Sequence, residues 1–164
     1  MNDPAFNISF RETLCPDDPD HIYHIAESCA LFYPEELTVA RELVEERLSK
    51  GETSGYYFII AEKHGAPVGY TCFGPIPMTR NRFDLYWIAV LKSCQGTGIG
   101  RQLIQKTETR IQHMNGRRVY VETSSRDDYA PTHRFYQTCH YHQEAVLKDY
   151  YAPGDDKIIY TRTF

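Results

Sequence analysis

Three alternating glycines form a segment that could bind an anion. Gly96, Gly98 and Gly100 follow an apolar run and precede an amphipathic helical pattern. Glycine lets the backbone approach a ligand closely, and the free N–H groups of a first helical turn point at that ligand with the positive end of the helix dipole behind them. The spacing therefore predicts a site for a diphosphate at the start of a helix.

The glycine spacing differs from that of two common phosphate-binding loops. A dinucleotide fingerprint requires G-x-G-x-x-G, but Arg101 and Leu103 occupy the sixth position counted from Gly96 and Gly98. A Walker loop requires a lysine directly after its last glycine, and Gly100 is followed by arginine. A nucleotide-binding protein of Rossmann type is therefore disfavoured.

Two carboxylates are candidates for a general base. Asp84 lies at the start of the predicted strand before the glycines, on the face of Tyr86 and Ile88, and Glu122 lies at the end of the next predicted strand. Burial would raise the pKa of either carboxyl toward neutrality, which suits a base. The spacing does not choose between them, and each could equally be a solvated strand residue.

Histidine and cysteine spacing does not indicate a metal site. His140 and His142 would share a strand face with Cys139 nearby, but a fourth ligand and a supporting partner are not evident. The five cysteines include no C-x-x-C pair and are odd in number, which supports neither a disulfide framework nor a zinc ribbon. We therefore expect no metal cofactor and a reducing, cytoplasmic location.

Length and charge limit the class of protein. The 164 residues, 41% hydrophobic and 13% aromatic, suit one domain over residues 1–164. The net charge of −4, without a block of lysine or arginine, argues against a nucleic-acid partner. No apolar run reaches about 18 residues and no basic-then-apolar signal opens the chain, so we expect neither export nor contact with a membrane.

Hydrophobic periodicity predicts an α/β fold. Phe6, Ile8 and Phe10 alternate with polar residues as in a half-buried strand, and Asp18 is predicted to cap a helix that ends near Phe32. The later predicted elements are a helix over 35–50, strands over 56–62, 67–73 and 83–90, a helix over 98–114, a strand over 118–123, a helix over 131–138, and strands over 141–149 and 158–164. A cluster of turn-forming residues predicts a loop over 150–156 between the last two strands. This order is typical of a mixed central sheet flanked by helices.

Two motifs resemble those of the GNAT family of N-acetyltransferases. Gln95 to Arg101 resembles the family's Q/R-x-x-G-x-G/A loop, which wraps the pyrophosphate of acetyl-coenzyme A. Phe135 to Tyr141 resembles the family's F-Y-x-x-x-G-F/Y segment, with His140 in place of the usual glycine. The element order is similar to the acyl-coenzyme A N-acyltransferase fold along essentially the whole chain, and Tyr86 to Val90 and Val121 to Ser125 resemble a bacterial subgroup of the family.

The resemblance implies that acetyl-coenzyme A is the cosubstrate. The strand ending at Val90 would supply a backbone amide that polarises the thioester carbonyl, and the loop would hold the diphosphate. Thr132 stands where many members have alanine and Tyr129 where many have asparagine, so contacts with the pantetheine arm would differ there. The coenzyme-binding residues implied are Ile88, Ala89, Val90, Gln95, Gly96, Thr97, Gly98, Ile99, Gly100, Arg101, Thr132 and Phe135.

The implied reaction is direct transfer of an acetyl group to an amine in a ternary complex. Transfer requires a deprotonated amine, a polarised carbonyl and a proton for the departing thiolate. Tyr136 matches the family's tyrosine, and a phenol with an unperturbed pKa of about 10 stays protonated at pH 7. Tyr136 is thus the predicted donor, with Asp84 or Glu122 as base, although Tyr136 could also simply fill the core beside Phe135.

The acceptor is left open by the sequence. The resemblance implies that Phe32, Tyr33 and Glu36 line the acceptor cleft, together with the segment Gly74 to Arg80. The acceptor would be a small-molecule amine, or the N-terminus or a lysine of a peptide or protein. A non-catalytic sensor that binds acyl-coenzyme A is the alternative function, and exposed strands near the C-terminus could pair edge to edge in a homodimer.

Overall fold

A computed structural model describes residues 8–164, so Phe6 of the first predicted strand lies outside the described residues. Seven strands and four helices follow in the predicted order. Their bounds are β1 Ile8–Arg11, α1 Asp18–Ser28, α2 Pro34–Lys50, β2 Tyr57–Lys63, β3 Ala66–Pro75, β4 Arg82–Val90, α3 Ile99–His113, β5 Arg118–Ser124, α4 Ala130–Thr138, β6 His142–Ala152 and β7 Asp155–Thr163.

The strands form one seven-stranded sheet in the order β1-β2-β3-β4-β5-β7-β6. Strand β4 pairs with β5 in parallel, whereas β1 with β2, β2 with β3, β5 with β7 and β6 with β7 are antiparallel. The predicted α/β fold with a mixed sheet is confirmed. Among residues 8–164 no helix combines the length and the apolar character needed to cross a membrane.

The described chain divides into two compact units, of which the first comprises residues up to Gly74 and residues 87–109. Its core is built by the apolar faces of α1 and α2 against strands β2, β3 and the end of β4, and full burial of a valine, isoleucine or phenylalanine side chain contributes about 1.5–3 kcal/mol. The core residues are Ile22, Ile25, Ala40, Val44, Phe58, Ile60, Tyr70, Cys72 and Ala89. The hydroxyls of Thr71 in β3 and Thr107 in α3 are buried and share a hydrogen bond of 2.8 Å.

The second unit comprises residues 75–86 and 110–164. Its strands β5 and β7 pair in register from Arg118 with Thr163 to Ser124 with Lys157. Tyr136 of α4 packs against Tyr141 and Tyr160, with ring centroids 5.6 and 5.9 Å away. Aromatic packing of this kind fixes α4 on one face of the unit's strands. The single domain over residues 1–164 stays a prediction.

The predicted capping of α1 by Asp18 is wrong, as is its predicted end near Phe32. Asp18 is the first residue of α1, and its buried carboxylate accepts the N–H of Cys15 at 2.6 Å and two N–H groups of Arg11 at 2.7 and 2.8 Å. The helix ends at Ser28 because Ala30 adopts a left-handed φ of 54°. The apolar residues beyond Ser28 that suggested a longer helix lie in the connection to α2.

The loop predicted over residues 150–156 is also wrong, because most of it is strand. Tyr150 and Tyr151 belong to β6, and the turn is reduced to Pro153 and Gly154. Gly154 adopts a φ of 82° and donates its N–H to the carboxylate of Asp149 at 2.7 Å. One tight turn therefore replaces the seven-residue loop that the cluster of turn-forming residues suggested.

Candidate active site

The glycine segment connects β4 to α3 in the first unit. The Leu91 N–H donates to the Val68 oxygen at 2.7 Å, and a single 3-10 turn over Lys92–Cys94 then leads into the loop. Gly96 and Gly98 have φ values of 76° and 88°, which glycine adopts without strain. A Cβ at either position would meet no described atom within 4 Å, so this side of the loop is open.

Two side chains fix the shape of this loop. The amide nitrogen of Gln95 donates to the backbone oxygen of Val90 at 3.0 Å, and the Thr97 hydroxyl donates to the oxygen of Cys94 at 2.7 Å. The first bond ties the loop back to the end of β4, and the second closes a turn inside the loop. The backbone N–H groups are thus held in place before any ligand arrives, which lowers the entropy lost on binding.

The N–H groups at the start of α3 point to an anion-binding function. Within residues 8–164, no acceptor receives a hydrogen bond from the backbone N–H groups of Thr97 to Arg101, and the first such bond of the helix runs from Gln102 to the oxygen of Gly98 at 3.1 Å. Orphan donors at a helix N-terminus, reinforced by the helix dipole, can bind a phosphate or diphosphate. The loop and the start of the helix lie where the glycine spacing placed them, and diphosphate binding stays a prediction.

Strand β4 carries the other predicted coenzyme-binding residues of this unit. Ala89 and Val90 are buried and Ile88 is half-buried. The parallel pairing of β4 with β5 covers only Arg82 to Asp84, although β4 continues to Val90. The backbone groups of β4 beyond Asp84 are therefore not used in this pairing.

Asp84 and Glu122 belong to the second unit together with a lysine that the sequence interpretation missed. Asp84 is half-buried and is the register partner of Tyr120, two residues before Glu122 on β5. The exposed carboxylate of Glu122 forms an ion pair with the ammonium of Lys157 at 2.6 Å. Lys157, opposite Ser124 on β7, is itself only 7% exposed. Two carboxylates and one ammonium thus share one face of these strands.

The surroundings of Asp84 suit a proton acceptor. Burial, and to a lesser extent the negative charge of Glu122, raise the pKa of the Asp84 carboxyl to about 6, although the positive charge of Lys157 opposes both. A carboxylate with this pKa is ionised at pH 7 but still binds a proton more readily than an ordinary aspartate. Of the two predicted bases, Asp84 has the environment that general-base chemistry requires.

Helix α4 of the second unit carries Tyr136, Phe135 and Thr132. Tyr136 is 4% exposed, and its burial raises the pKa of the phenol above its ordinary value, so the hydroxyl keeps its proton at neutral pH. Phe135 lies beside it, with ring centroids 5.5 Å apart, and both Phe135 and Thr132 are half-buried. These contacts fit a core position and also fit a proton donor, so the role of Tyr136 stays a prediction.

His140, which stands where the resembling family usually has glycine, adopts a left-handed backbone conformation. Its φ of 65° is left-handed, and its side chain is exposed after the end of α4. The corner between α4 and β6 therefore carries a backbone cost of roughly 1–2 kcal/mol that glycine would avoid. Within residues 8–164 no group of three or more histidine, cysteine or acidic side chains could hold a metal ion.

The predicted acceptor residues lie at the start of α2 in the first unit. The ring of Phe32 lies 4.7 Å from that of Trp87, measured between centroids. The Tyr33 side chain is 56% exposed, and its backbone N–H donates to the carboxylate of Glu36 at 2.8 Å. Glu36 thus caps α2, which is a structural role that the sequence interpretation did not assign to it.

The contact of Lys157 with two tyrosine rings of the second unit was not predicted from sequence. Lys157 lies with its ammonium 3.7 Å from the centroid of the Tyr150 ring and 5.7 Å from that of Tyr151. The prediction had placed both tyrosines in a loop and Lys157 before the last strand. No alternation in the sequence indicates the earlier start of β7, because Asp155, Asp156 and Lys157 are all charged.

The mixed sheet flanked by helices defines an α/β protein. The unbonded N–H groups between β4 and α3 are suited to the phosphates of a cofactor. The sequence profile of the Acetyltransferase (GNAT) family matches residues 20–141. The chain therefore belongs to the GNAT family of acetyltransferases, and its fold is the acyl-coenzyme A N-acyltransferase fold. Among curated protein sequences none matches the chain.

Solved structures agree with this assignment. A protein from Desulfovibrio desulfuricans described as a GNAT-family acetyltransferase is 42% identical, with a TM-score of 0.94 over 96% of this chain and 99% of that one. The PaiA N-acetyltransferase of Thermoplasma acidophilum, solved with coenzyme A, is 16% identical, with a TM-score of 0.75 over 97% of this chain and 100% of that one. The ribosomal-protein-S18-alanine N-acetyltransferase of Escherichia coli is 17% identical, with a TM-score of 0.74 over 96% and 94%. The last two show the fold alone.

Proposed function

We propose that the protein transfers an acetyl group from acetyl-coenzyme A directly to a primary amine. The observation that carries the proposal is the run of unbonded N–H groups from Thr97 to Arg101 at the start of α3. These donors suit the diphosphate of coenzyme A, and the glycine spacing disfavours a dinucleotide. The family supports acyl transfer from coenzyme A as the chemistry that the loop serves.

The proposal gives each step of the reaction to a residue. The loop from Gln95 to Arg101 binds the diphosphate, and a backbone amide of Ile88 to Val90 polarises the thioester carbonyl. Asp84, directly or through a water, takes the proton of the acceptor ammonium, so that the neutral amine attacks the carbonyl carbon. Tyr136 gives its proton to the thiolate that leaves, and positioning of the two substrates supplies much of the rate.

The proposed acceptor is a small-molecule amine, or the N-terminal or lysine amine of a peptide or protein. Phe32, Tyr33 and Glu36 are its proposed contacts, and the aromatic pair of Phe32 and Trp87 offers an apolar surface for it. Among the structural neighbours, the Escherichia coli enzyme acts on an alanine of a ribosomal protein by its name, and another neighbour is an aminoglycoside 6'-N-acetyltransferase. Both kinds of amine therefore belong in a substrate screen.

The proposed location is the cytoplasm, and a homodimer is the proposed assembly. All five cysteines are free thiols, as expected in a reducing compartment. Strand β6 lies at the edge of the sheet and exposes Val146 and Leu147, which another strand edge could cover.

Binding and turnover are tested separately. Titration calorimetry with acetyl-coenzyme A tests the loop, and release of free thiol over a panel of amines, with mass spectrometry of the products, tests transfer. Tyr136→Phe should lower kcat at least about tenfold, since a general acid contributes 10²–10⁴. Tyr160→Phe is the matched control, because Tyr160 is equally buried and stacks on Tyr136.

Two outcomes would contradict the proposal. Absence of binding to any acyl-coenzyme A would remove the coenzyme from the function. Tight binding without thiol release for any amine would instead favour the sensor, which has no turnover for Tyr136→Phe to reduce.

A further inference from the structure

Lys157 is a buried cation in the second unit with an environment built for it. Its ammonium is paired with Glu122 at 2.6 Å and lies 3.7 Å from the centroid of the Tyr150 ring. The rings of Tyr150 and Tyr151 form an edge-to-face pair with centroids 5.1 Å apart, and both lie against this ammonium. Burial of an ammonium is costly unless anions and aromatic faces surround it, and here both are present.

The same cation acts on Asp84. Glu122 and Lys157 are the charged groups that influence this carboxylate, with opposite signs. The pairing registers fix where β4, β5 and β7 lie along one another. Asp84 of β4 is opposite Tyr120 of β5, and Lys157 of β7 is opposite Ser124 of β5. Asp84 and Glu122 are therefore two negative charges on neighbouring strands, and the ammonium of Lys157 is bound to Glu122.

We propose that Lys157 is a positioning residue that holds Glu122 in an ion pair, so that Asp84 is the one carboxylate free to accept the proton of the acceptor amine. This inference rests on the proposed function. It assigns different roles to two carboxylates that the sequence could not distinguish. Glu122 is the counter-ion of Lys157, and Asp84 is the base. The positive charge of Lys157 offsets the effect of the Glu122 charge on Asp84.

The chemistry of the proton step requires this separation. When the acceptor ammonium gives its proton to Asp84, the nitrogen keeps the electron pair that then forms the bond to the acetyl carbon. The nitrogen of the tetrahedral intermediate is then positively charged and loses its second proton as the carbon–sulfur bond breaks and its electrons leave with the sulfur. The thiolate takes the proton of Tyr136, and the second proton of the nitrogen replaces it, directly or through water. Without Lys157, Glu122 would be an unpaired neighbouring anion, and Asp84 would hold a proton at higher pH and be unavailable as a base.

The charged and titratable groups around the pair come from each neighbouring strand. Strand β4 supplies Arg82, and β5 supplies its register partner Arg118 with Tyr120 and Glu122. Strand β7 supplies Asp155 and Lys157, and β6 supplies Tyr150 and Tyr151. Asp155 is bound to the hydroxyl of Ser124. Arg118 is ion-paired with Glu144, and Arg82 donates to the Arg80 oxygen at 3.1 Å. Lys157 is the cation whose charge acts on Asp84, so its removal should leave the repulsion from Glu122 without this compensation.

Lys157→Met tests the inference with a side chain of similar length and no charge, and Lys157→Arg is the matched control that restores the charge. Carbon-13 NMR of the Asp84 carboxyl, identified by its loss in Asp84→Asn, follows its titration in the protein without substrate. We expect the midpoint to rise by roughly one pH unit in Lys157→Met and to return close to the wild-type value in Lys157→Arg. The acidic limb of kcat/KM should move by the same amount.

Glu122→Gln gives a second test with the opposite sign, in case Lys157→Met fails to fold. Removing the negative charge and freeing the ammonium should lower the midpoint of Asp84 while turnover persists. An unchanged midpoint in both variants, or loss of turnover in Glu122→Gln with the Asp84 midpoint lowered, would overturn the inference. A wild-type protein without turnover would instead overturn the proposed function, because the NMR titration does not depend on activity.

Discussion

The side-chain amide of Gln95 donates a hydrogen bond to the backbone oxygen of Val90 at 3.0 Å. Val90 is the last residue of β4, and Gln95 directly precedes the first of two left-handed glycines. The bond therefore links the end of the strand to the loop without using any of the backbone N–H groups that follow it.

Removing this link should weaken coenzyme binding modestly. We expect Gln95→Ala to raise the Kd for acetyl-coenzyme A roughly fivefold, since a hydrogen bond of about 1 kcal/mol would no longer hold the loop. Calorimetry measures the change, and Gln102→Ala, an exposed glutamine one turn into α3, is the control. Equal Kd values for the two variants would mean that the loop keeps its shape without Gln95.

Gly98→Ala should have a larger effect. The φ of 88° is strained for alanine at roughly 1 kcal/mol, and the loop would relax away from the geometry that directs its N–H groups outward. We expect binding to weaken by about tenfold or more. Gly65→Ala is the matched control, because Gly65 has a φ of 79° and equally open surroundings in the turn between β2 and β3. If Gly65→Ala weakens binding as much, the effect is one of stability and not of the loop.

Asp84→Asn should abolish most turnover while leaving the Kd for acetyl-coenzyme A unchanged. General-base catalysis contributes about 10²–10⁴ in kcat. In the wild type, kcat/KM should fall as pH decreases through about 6, because protonated Asp84 cannot accept a proton and burial with the charge of Glu122 raises its pKa to about 6. A pH profile that is flat between 5 and 8 would exclude Asp84 as the base.

The buried hydroxyls of Thr71 and Thr107 should show strong coupling in a double-mutant cycle. Thr71→Val or Thr107→Val alone leaves one buried hydroxyl without its partner at 2.8 Å, at a cost of about 1–3 kcal/mol. The double variant buries two methyl groups in place of the pair and should cost less than the sum of the single changes. Urea denaturation gives the three free energies of unfolding, and simple additivity would contradict the pairing.

The ion pair of Arg11 with Asp18 should make stability depend on pH in the acid range. Burial raises the pKa of the Asp18 carboxyl, but hydrogen bonds from Arg11 and the Cys15 N–H outweigh this, and the net pKa is lowered. The stabilisation is therefore present above the unfolded-state pKa of about 3.9 and is lost as pH falls through the folded-state value.

Asp18→Asn tests this dependence. It should cost about 3 kcal/mol at pH 7 and less at pH 3, below the unfolded-state pKa of about 3.9, because it leaves Arg11 without its buried partner only where the wild type has the charge. Denaturant titrations at both pH values measure it, with Asp17→Asn, an exposed neighbour, as control. The same loss at pH 3 and pH 7 would show that packing, and not charge, makes Asp18 important.

Part of this structure could be predicted from patterns within short stretches of the sequence. The β4–loop–α3 segment could be predicted because apolar alternation, glycine spacing and helical periodicity lie within about twenty consecutive residues. Asp18 was misread as a cap because its partner Arg11 lies in β1, and no local pattern reports that contact. Lys157 was missed because its burial depends on the register of β5 with β7 and on how short the hairpin before it is.

Hydrogen exchange at the open N–H groups from Thr97 to Arg101 should also show whether a diphosphate is bound to the loop. Because no carbonyl of the described chain engages them, their deuterium uptake should be fast in the free protein even though α3 beyond them is firmly hydrogen-bonded. A bound diphosphate would slow that uptake at five consecutive positions, so peptide-resolved exchange could rank acyl-coenzyme A analogues before any acceptor amine is known.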